Sequence, residues 1–415
     1  MEKFQNGSKG NGLRATVHVS PGEVLYVAEP FAYTVKKQGR GLVCEYCLRA
    51  TVKLLQCSQC KFAKYCGKEC QTKAWLDHKR ECKCLKSTKS KFDTDTVRLV
   101  GKIVFKMIRK SPCPSEELYS VPELETNFGK ISKEYKKEFE LFADMLQLYL
   151  KEEISDVSQL LSDVNLPELF AKVTCNRFSI VNGEMLAVAV GLYPGMSLLN
   201  HSCEPNCKIV FIGRHLHLRA IRKIQAGEEL TVTYIDQLMP TVERQNQLKS
   251  KYCFECDCRL CQTCDNDERM LSGDRQASEK TKDLVSKVLE LQSKKQWGES
   301  LALCRAQLER NTGLVPDKNI YQLRILDYAM DACMTLNLPE EALRYGYRTL
   351  EPYRYYTSGI NASQALQMIK IGPLLGQQGK LLECMSMFQE AYGIMKIFYG
   401  REHPMTQNLI KILGC

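Results

Sequence analysis

Ser197-Leu198-Leu199-Asn200-His201-Ser202-Cys203-Glu204-Pro205-Asn206 sets a run of polar and metal-binding side chains directly behind an apolar stretch. Polar groups that follow a buried segment so closely need partners inside the fold. A turn carrying a satisfied histidine is the simplest account. A Cys or Ser nucleophile activated by His201 is the hydrolase account, but immediate sequence neighbours rarely form such a pair and no nucleophile-elbow motif surrounds them. What this segment connects to therefore decides the fold.

Downstream, Gly227-Glu228-Glu229-Leu230-Thr231-Val232-Thr233-Tyr234 ends in strand-like alternation, and Cys256-x-Cys258-x2-Cys261 follows. Zinc held by four Cys or His ligands forms a tetrahedron with Zn–S bonds of about 2.3 Å. Three cysteines leave one position, so either the ion is open and catalytic or another residue closes it. Cys253 and Cys264 are the local candidates. Cys203 is the distant one, and its polar surroundings argue for a long-range link.

Upstream, Cys44-x2-Cys47, Cys57-x2-Cys60, Cys66-x3-Cys70 and His78-x3-Cys82 place eight ligands in 39 residues. Such spacing rarely arises among independent structural cysteines, and eight ligands make two zinc sites. Alternating pairs would put Cys44, Cys47, Cys66 and Cys70 on one ion and Cys57, Cys60, His78 and Cys82 on the other; sequential pairing is the alternative. Cys84 reads as a spectator. Few apolar residues separate these ligands, so metal must contribute much of the local folding free energy. Between Cys44 and Lys91 there are twelve Lys/Arg against four Asp/Glu, a cationic block within a chain of net charge +10. That block suits weak, sequence-independent nucleic-acid contact or an acidic partner, with a solvated surface as the plain alternative.

Elsewhere, residues 1–43 alternate short apolar runs with turns, as in Gly12–Val17 and Pro21–Leu25, and read as small antiparallel strands. Val97, Val100, Ile103, Val104 and Met107 carry helical spacing within residues 83–170. Strand-like pieces return at Ile209–Phe211, Leu216–Ala220 and Leu230–Tyr234. Beyond them Glu299-Ser300-Leu301, Glu341-Ala342-Leu343 and Glu383-Cys384-Met385 recur at 42-residue intervals. This reads as a tetratricopeptide-like array with a period longer than the usual ~34 residues, suited to binding a peptide on a concave face.

Together these motifs resemble a known family. Asn200-His201-Ser202-Cys203-x-Pro205-Asn206, Gly227-Glu228-Glu229-Leu230-Thr231-x2-Tyr234 and the Cys-x-Cys-x2-Cys cluster resemble the signature motifs and post-SET zinc cluster of SET-domain protein lysine methyltransferases. The order C-x2-C-x9-C-x2-C-x5-C-x3-C-x7-H-x3-C resembles the MYND finger, so the whole chain is similar to the SET-and-MYND methyltransferases. The resemblance implies an α+β protein: a split SET domain (1–43 and 171–236), an inserted MYND finger (44–82), a helical linker and insert (83–170), a post-SET zinc region (237–265) and a tetratricopeptide-like helical domain (266–415). It implies the interleaved finger pairing, and Cys203 as the fourth ligand beside Cys256, Cys258 and Cys261, making three Zn²⁺ ions in all.

It also implies S-adenosylmethionine as methyl donor and protein lysines, on histone tails or other proteins, as substrates. Tyr234 matches the catalytic tyrosine, and Phe178 and Tyr252 match positions lining a lysine channel. Lys9, Gly10, Asn11, Tyr119, Asn127, Asn176, Asn200, His201, Tyr234 and Phe254 match cofactor contacts. Family members often carry Arg where Lys9 stands, so a forked carboxylate contact becomes single-point here. Partner peptides at the finger and the helical array are further expectations, and a non-catalytic adaptor using those two surfaces is the rival reading. Intact Asn200, His201 and Tyr234 argue against that rival.

Composition fits this picture. With 415 residues, 44% hydrophobic and 26% charged, and only 14 Pro and 25 Gly, the chain is not a disordered or fibrous protein and has length for several domains. No stretch approaches the ~18 apolar residues of a membrane span, and Met1–Gly12 lacks a signal-peptide core. The 21 cysteines then suit metal binding in a reducing compartment, and a monomer of cytoplasm and nucleus is expected.

Overall fold

The computed structural model describes all residues except 8, 89–93, 111–112, 156–163, 357–361 and 415, so Lys89 and Lys91 of the basic block lie outside the described residues. The described chain divides into two compact units: Met1–Asn200, Asn206–Val232 and Lys249–Phe254 form the first, and His201–Pro205, Thr233–Leu248 and Glu255–Cys415 the second.

The first unit is built on short antiparallel sheets. Strands β1 (Glu2–Asn6) and β2 (Gly10–Arg14) form a hairpin. β3 (Val24–Ala28) pairs with β11 (His215–Ala220), itself paired with β10 (Cys207–Ile212). β4 (Ala32–Val35) pairs with β8 (Ala187–Leu192), whose other edge takes β7 (Arg177–Val181). Within the finger, β5 (Leu55–Gln56) pairs with β6 (Lys64–Tyr65). A two-residue pairing joins β12 (Thr231–Val232) to the strand that begins at Asn200, β9 (Asn200–His201).

Strand character was expected through Tyr234, but β12 stops at Val232. The reason is local: Thr233 Oγ1 bonds the Ile235 carbonyl at 2.7 Å, and the Tyr234 N–H donates to the His201 ring rather than to a strand neighbour. Side-chain bonding of this kind competes with a backbone ladder.

Among the described residues, four α-helices accompany these sheets. α1 (Lys68–Thr88) carries His78 and Cys82 and continues past the last finger ligand. α2 (Asp95–Arg109) starts at Thr94, whose hydroxyl accepts the Val97 N–H, and buries Val97, Val100, Ile103 and Val104 along one stripe. α3 (Lys133–Leu150) and α4 (Leu166–Asn176) are likewise capped by Ser132 and Asn165. The finger seats on the sheet through Gly213 at the β10–β11 turn. Its φ is +61°, and a Cβ there would stand 2.8 Å from the Cys47 carbonyl, so only glycine permits this approach. Next to it Arg214 lies 4.3 Å from the Tyr46 ring centroid, and the Tyr193 hydroxyl donates to the Arg214 carbonyl at 2.6 Å.

The second unit is mainly helical. After α5 (Thr241–Tyr252), of which the part up to Leu248 belongs here, α6 (Arg259–Thr263) and α7 (Asp267–Met270) come α8 (Arg275–Ser293), α9 (Trp297–Arg310), α10 (Ile320–Thr335), α11 (Pro339–Tyr355), α12 (Ala362–Gln377), α13 (Leu381–Phe398) and α14 (Pro404–Leu413). α9, α11 and α13 begin at 297, 339 and 381, so the 42-residue sequence period is a period of helix starts. Each places a small buried residue at the same point: Ser300, Ala342 and Cys384. Ion pairs and hydrogen bonds tie successive members, with Arg305 on Glu341, Tyr347 on Glu383 and Arg354 on Glu390. Among the described residues no helix is long and apolar enough to cross a membrane.

Candidate active site and metal clusters

Three groups of ligand atoms are gathered, each within 4.8 Å: Cys44, Cys47, Cys66 and Cys70; Cys57, Cys60, His78 and Cys82; and Cys203, Cys256, Cys258 and Cys261. The finger groups are therefore interleaved, not sequential, and neither Cys253 nor Cys264 enters the third. Tight knuckles do the gathering, with Leu48 and Lys61 held at positive φ so that their N–H groups return to the Cys44 and Cys57 carbonyls at 3.0 Å.

The donor sets fit zinc. Thiols packed this closely drive each other's ionisation apart: bonding to Cys47 holds Cys44 down at about 4, while the same bond and burial push Cys47 far up. In the third group bonds to Cys203 and then Cys256 hold Cys258 well below the thiol range, and Cys203 is pushed far up by its bonds to Cys256 and Cys258. A divalent cation at the centre of each group would let its cysteines ionise together, which is what a tetrahedral zinc site needs of such Cys and Cys/His sets.

Partners around the clusters fix their orientation. His78 turns Nε2 toward Cys60 and Nδ1 toward Glu81, 3.5 Å away, the carboxylate–histidine arrangement common around zinc. Burial would raise the Glu81 carboxyl, but Arg98 and Lys102 outweigh it and hold the group ionised. In the third cluster the buried Arg244 donates to Cys261 Sγ at 3.7 Å, and Gln245 exchanges two hydrogen bonds with the Cys256 backbone.

In the first unit, the two polar motifs lock together. Asn206 Nδ2 donates to Glu228 Oε1 and the Glu229 carbonyl at 2.9 and 2.7 Å, while its Oδ1 accepts the Thr231 N–H at 2.8 Å. Asn200 Nδ2 donates to Glu229 Oε1 at 2.8 Å and to the Asn11 carbonyl at 3.3 Å. Both amide hydrogens are thus committed inside the protein, and the acceptor Oδ1 is what Asn200 can offer a ligand. Lys9 lies in the β1–β2 turn, and Gly10 and Asn11 open β2, paired with Asn6 and Gln5. Gly12 beside them has no room for a side chain, since a Cβ would meet the Phe4 ring at 2.8 Å and Asn200 Nδ2 at 3.0 Å.

The insert reaches the same unit's hairpin and helix ends. Asn11 Nδ2 donates to the Tyr119 hydroxyl at 3.5 Å, and Lys3 stands 4.4 Å from the Tyr119 ring. Asn127 Nδ2 donates to the Tyr252 carbonyl at 3.0 Å and faces Cys175 Sγ at 3.6 Å. Asn176 closes α4, donating to the Glu125 and Lys172 carbonyls. Phe178 packs edge-on against Tyr193 with centroids 5.7 Å apart. Tyr252 and Phe254 are half-buried, and burial, more than Cys175, raises the Tyr252 phenol.

In the second unit, His201 Nδ1 accepts the Tyr234 N–H at 3.0 Å, so the ring proton of a neutral His201 sits on Nε2, 3.4 Å from Cys203 Sγ. One buried imidazole therefore bridges the Tyr234 backbone and a cluster cysteine, with the two rings 5.3 Å apart. Gln237 fixes the Cys203 carbonyl at 2.7 Å.

A family model described as the SET domain matches residues 10–235. Over 413 residues the chain is 49% identical to the histone-lysine N-methyltransferase SMYD3 of Mus musculus, an alignment covering 100% of this chain and 96% of that protein. The chain belongs to the SET-and-MYND family. Its identity to the histone-lysine N-methyltransferase Smyd1 of Mus musculus is 32%, covering 99% and 88% of the two chains. To the N-lysine methyltransferase SMYD2 of Homo sapiens it is 31%, covering 99% and 96%.

In this SET-and-MYND protein several residues outside the family-matched set hold the site together. Glu229 and Asn206 stand inside the two polar motifs, and only the fold shows their part: they hold the Asn200 amide and the motif junction. Glu81, Arg98 and Arg244 had no signal, because a charged residue on a helix reads as surface until the fold buries it.

Proposed function

We propose that the chain transfers a methyl group from S-adenosylmethionine to the side-chain amine of protein lysines, on histones and on other proteins, in the cytoplasm and nucleus. The carrying observation is the junction of Asn200, Glu229 and Asn11, which presents a fixed carbonyl acceptor at a motif position matched to cofactor binding. A molecule bearing an ammonium and an adenine amino group suits such an acceptor.

Lys9, Gly10, Asn11, Tyr119, Asn127, Asn176, Asn200, His201, Tyr234 and Phe254 would hold the cofactor, which brings an electrophilic sulfonium methyl. Transfer is an in-line displacement, so the protein's task is alignment plus a neutral amine. A free lysine, with pKa about 10.4, is almost wholly protonated at neutral pH. Phe178 and Tyr252, as walls of an apolar channel, favour the neutral form by withholding water, and their faces accept a methylated ammonium. The Tyr234 hydroxyl orients the amine lone pair, its backbone position set by His201. Intact Asn200, His201 and Tyr234 weigh against the rival, non-catalytic adaptor reading.

Calorimetric titration of the zinc-loaded protein with S-adenosylmethionine tests this reading. One saturable site is expected, lost in Asn200→Ala and kept in Tyr234→Phe, while Tyr234→Phe lowers methyl transfer by about a hundredfold or more. Absence of binding by folded, zinc-replete protein would overturn the assignment.

A further inference from the structure

A cavity of about 480 Å³ opens between α1 of the finger and α2 of the insert, with Tyr33, Tyr46, Tyr65 and Phe105 in its wall. Seven Lys and Arg side chains line it against four carboxylates. Two of those carboxylates, Glu45 and Glu81, are buried and already answered by Arg98 and Lys102. The other two are each shared between two cations. Asp77 faces Lys106 and Arg109, both at 3.2 Å, and Glu153 faces Arg80 at 3.3 Å and Lys83 at 3.1 Å. One carboxylate neutralises one cation, so each set leaves a positive charge, and Lys79 has no ion pair among the described residues.

These cations are held in place before any ligand arrives. Arg80 lies 4.8 Å from the Phe105 ring centroid, Lys106 5.6 Å from Phe31 and Arg214 4.3 Å from Tyr46. Aromatic support of this kind keeps a cationic head fixed and partly dry, which strengthens attraction to an incoming anion. At the cavity's edge α1 also exposes an apolar side chain, Leu76, at 70% of its full area.

We infer that this cavity is a docking site for an acidic segment of a partner protein, Asp or Glu side chains entering between α1 and α2 with an apolar neighbour on Leu76. The charge pattern selects the occupant. The excess is spread in single steps along two helices and interrupted by Asp77 and Glu153, which would repel a dense polyphosphate but leaves room for separated carboxylates. A walled cavity of this size admits side chains and not a nucleic-acid duplex, so the basic block becomes a peptide contact. The inference stands apart from the methyl-transfer reading.

The test uses the full zinc-loaded chain and a short fluorescent peptide of alternating Glu and Leu, its Gln-for-Glu counterpart, and a single-stranded oligonucleotide. The Glu peptide is expected to bind saturably and to weaken by about tenfold in the double variant Lys79→Glu/Arg109→Glu, with unchanged zinc content and S-adenosylmethionine affinity. Should that variant lose zinc, footprinting of the unaltered protein decides: the Glu peptide shields Lys79 and Lys83 from an amine-acylating reagent. Equal binding of the Gln peptide, no shielding, or binding of the oligonucleotide alone would overturn the inference.

Discussion

At the scale of single residues, the committed amide of Asn200 shows how a motif becomes a site. An asparagine amide can present either face, and only its neighbours decide which. Here Glu229 and the Asn11 carbonyl take both hydrogens. Removing that carboxylate in Glu229→Ala frees the amide to rotate, and S-adenosylmethionine affinity should fall by roughly tenfold, about 1.4 kcal/mol. Glu229→Gln keeps an acceptor oxygen and should bind nearly as the parent does. Calorimetry on both variants measures this, and equal loss in the two would mean that the carboxylate acts only through general stability. The identity of Asn200 was readable from its motif; the direction in which it points was not, because that depends on a strand paired from elsewhere in the chain.

Elements meet here through buried charge as well as through apolar stripes. Arg98, on α2, is fully buried between Glu81 of α1 and Glu45 of the first knuckle, so the finger and the insert share one ionic centre. Breaking such a group by removing one partner leaves uncompensated charge and costs about 3–5 kcal/mol. Arg98→Met should therefore lower the denaturant midpoint and speed zinc release to a chelator, both measurable without any substrate. A second centre lies in α10, where Asp327 receives hydrogen bonds from Tyr353 and from Gln367, the latter at 2.9 Å. Burial pushes its carboxyl from 3.8 up to about 6, so the folded state holds a proton that the unfolded chain has lost. Its contribution is present below 3.8 and is lost as pH rises through about 6. Between about pH 5 and pH 7 the parent should lose roughly 1–2 kcal/mol relative to Asp327→Asn, read from urea unfolding at each pH. A constant difference would show that Asp327 is already ionised in the fold.

Over the whole molecule, cysteines far apart in sequence define the organisation. Cys203 joins Cys256, Cys258 and Cys261 across more than fifty positions, and His201 beside it holds the Tyr234 backbone. Cys203→Ser should reduce bound zinc from three ions per chain to two while the finger keeps its pair, and should lower methyl transfer together with cofactor affinity; metal analysis after gel filtration measures the first. Loss of all three ions would mean that the clusters fold as one cooperative body. Ligand spacing, the order of the motifs and the 42-residue period were determined by sequence alone, because each rests on local geometry: a knuckle, a turn, a helix pair. Tertiary structure chose between the two finger pairings, and it alone decided the burial of Arg98 and Arg244, the end of β12 at Val232 and the cationic cavity beside α1. Each of these depends on which distant groups share a low-dielectric space, and a residue's own neighbours in the chain carry no record of that.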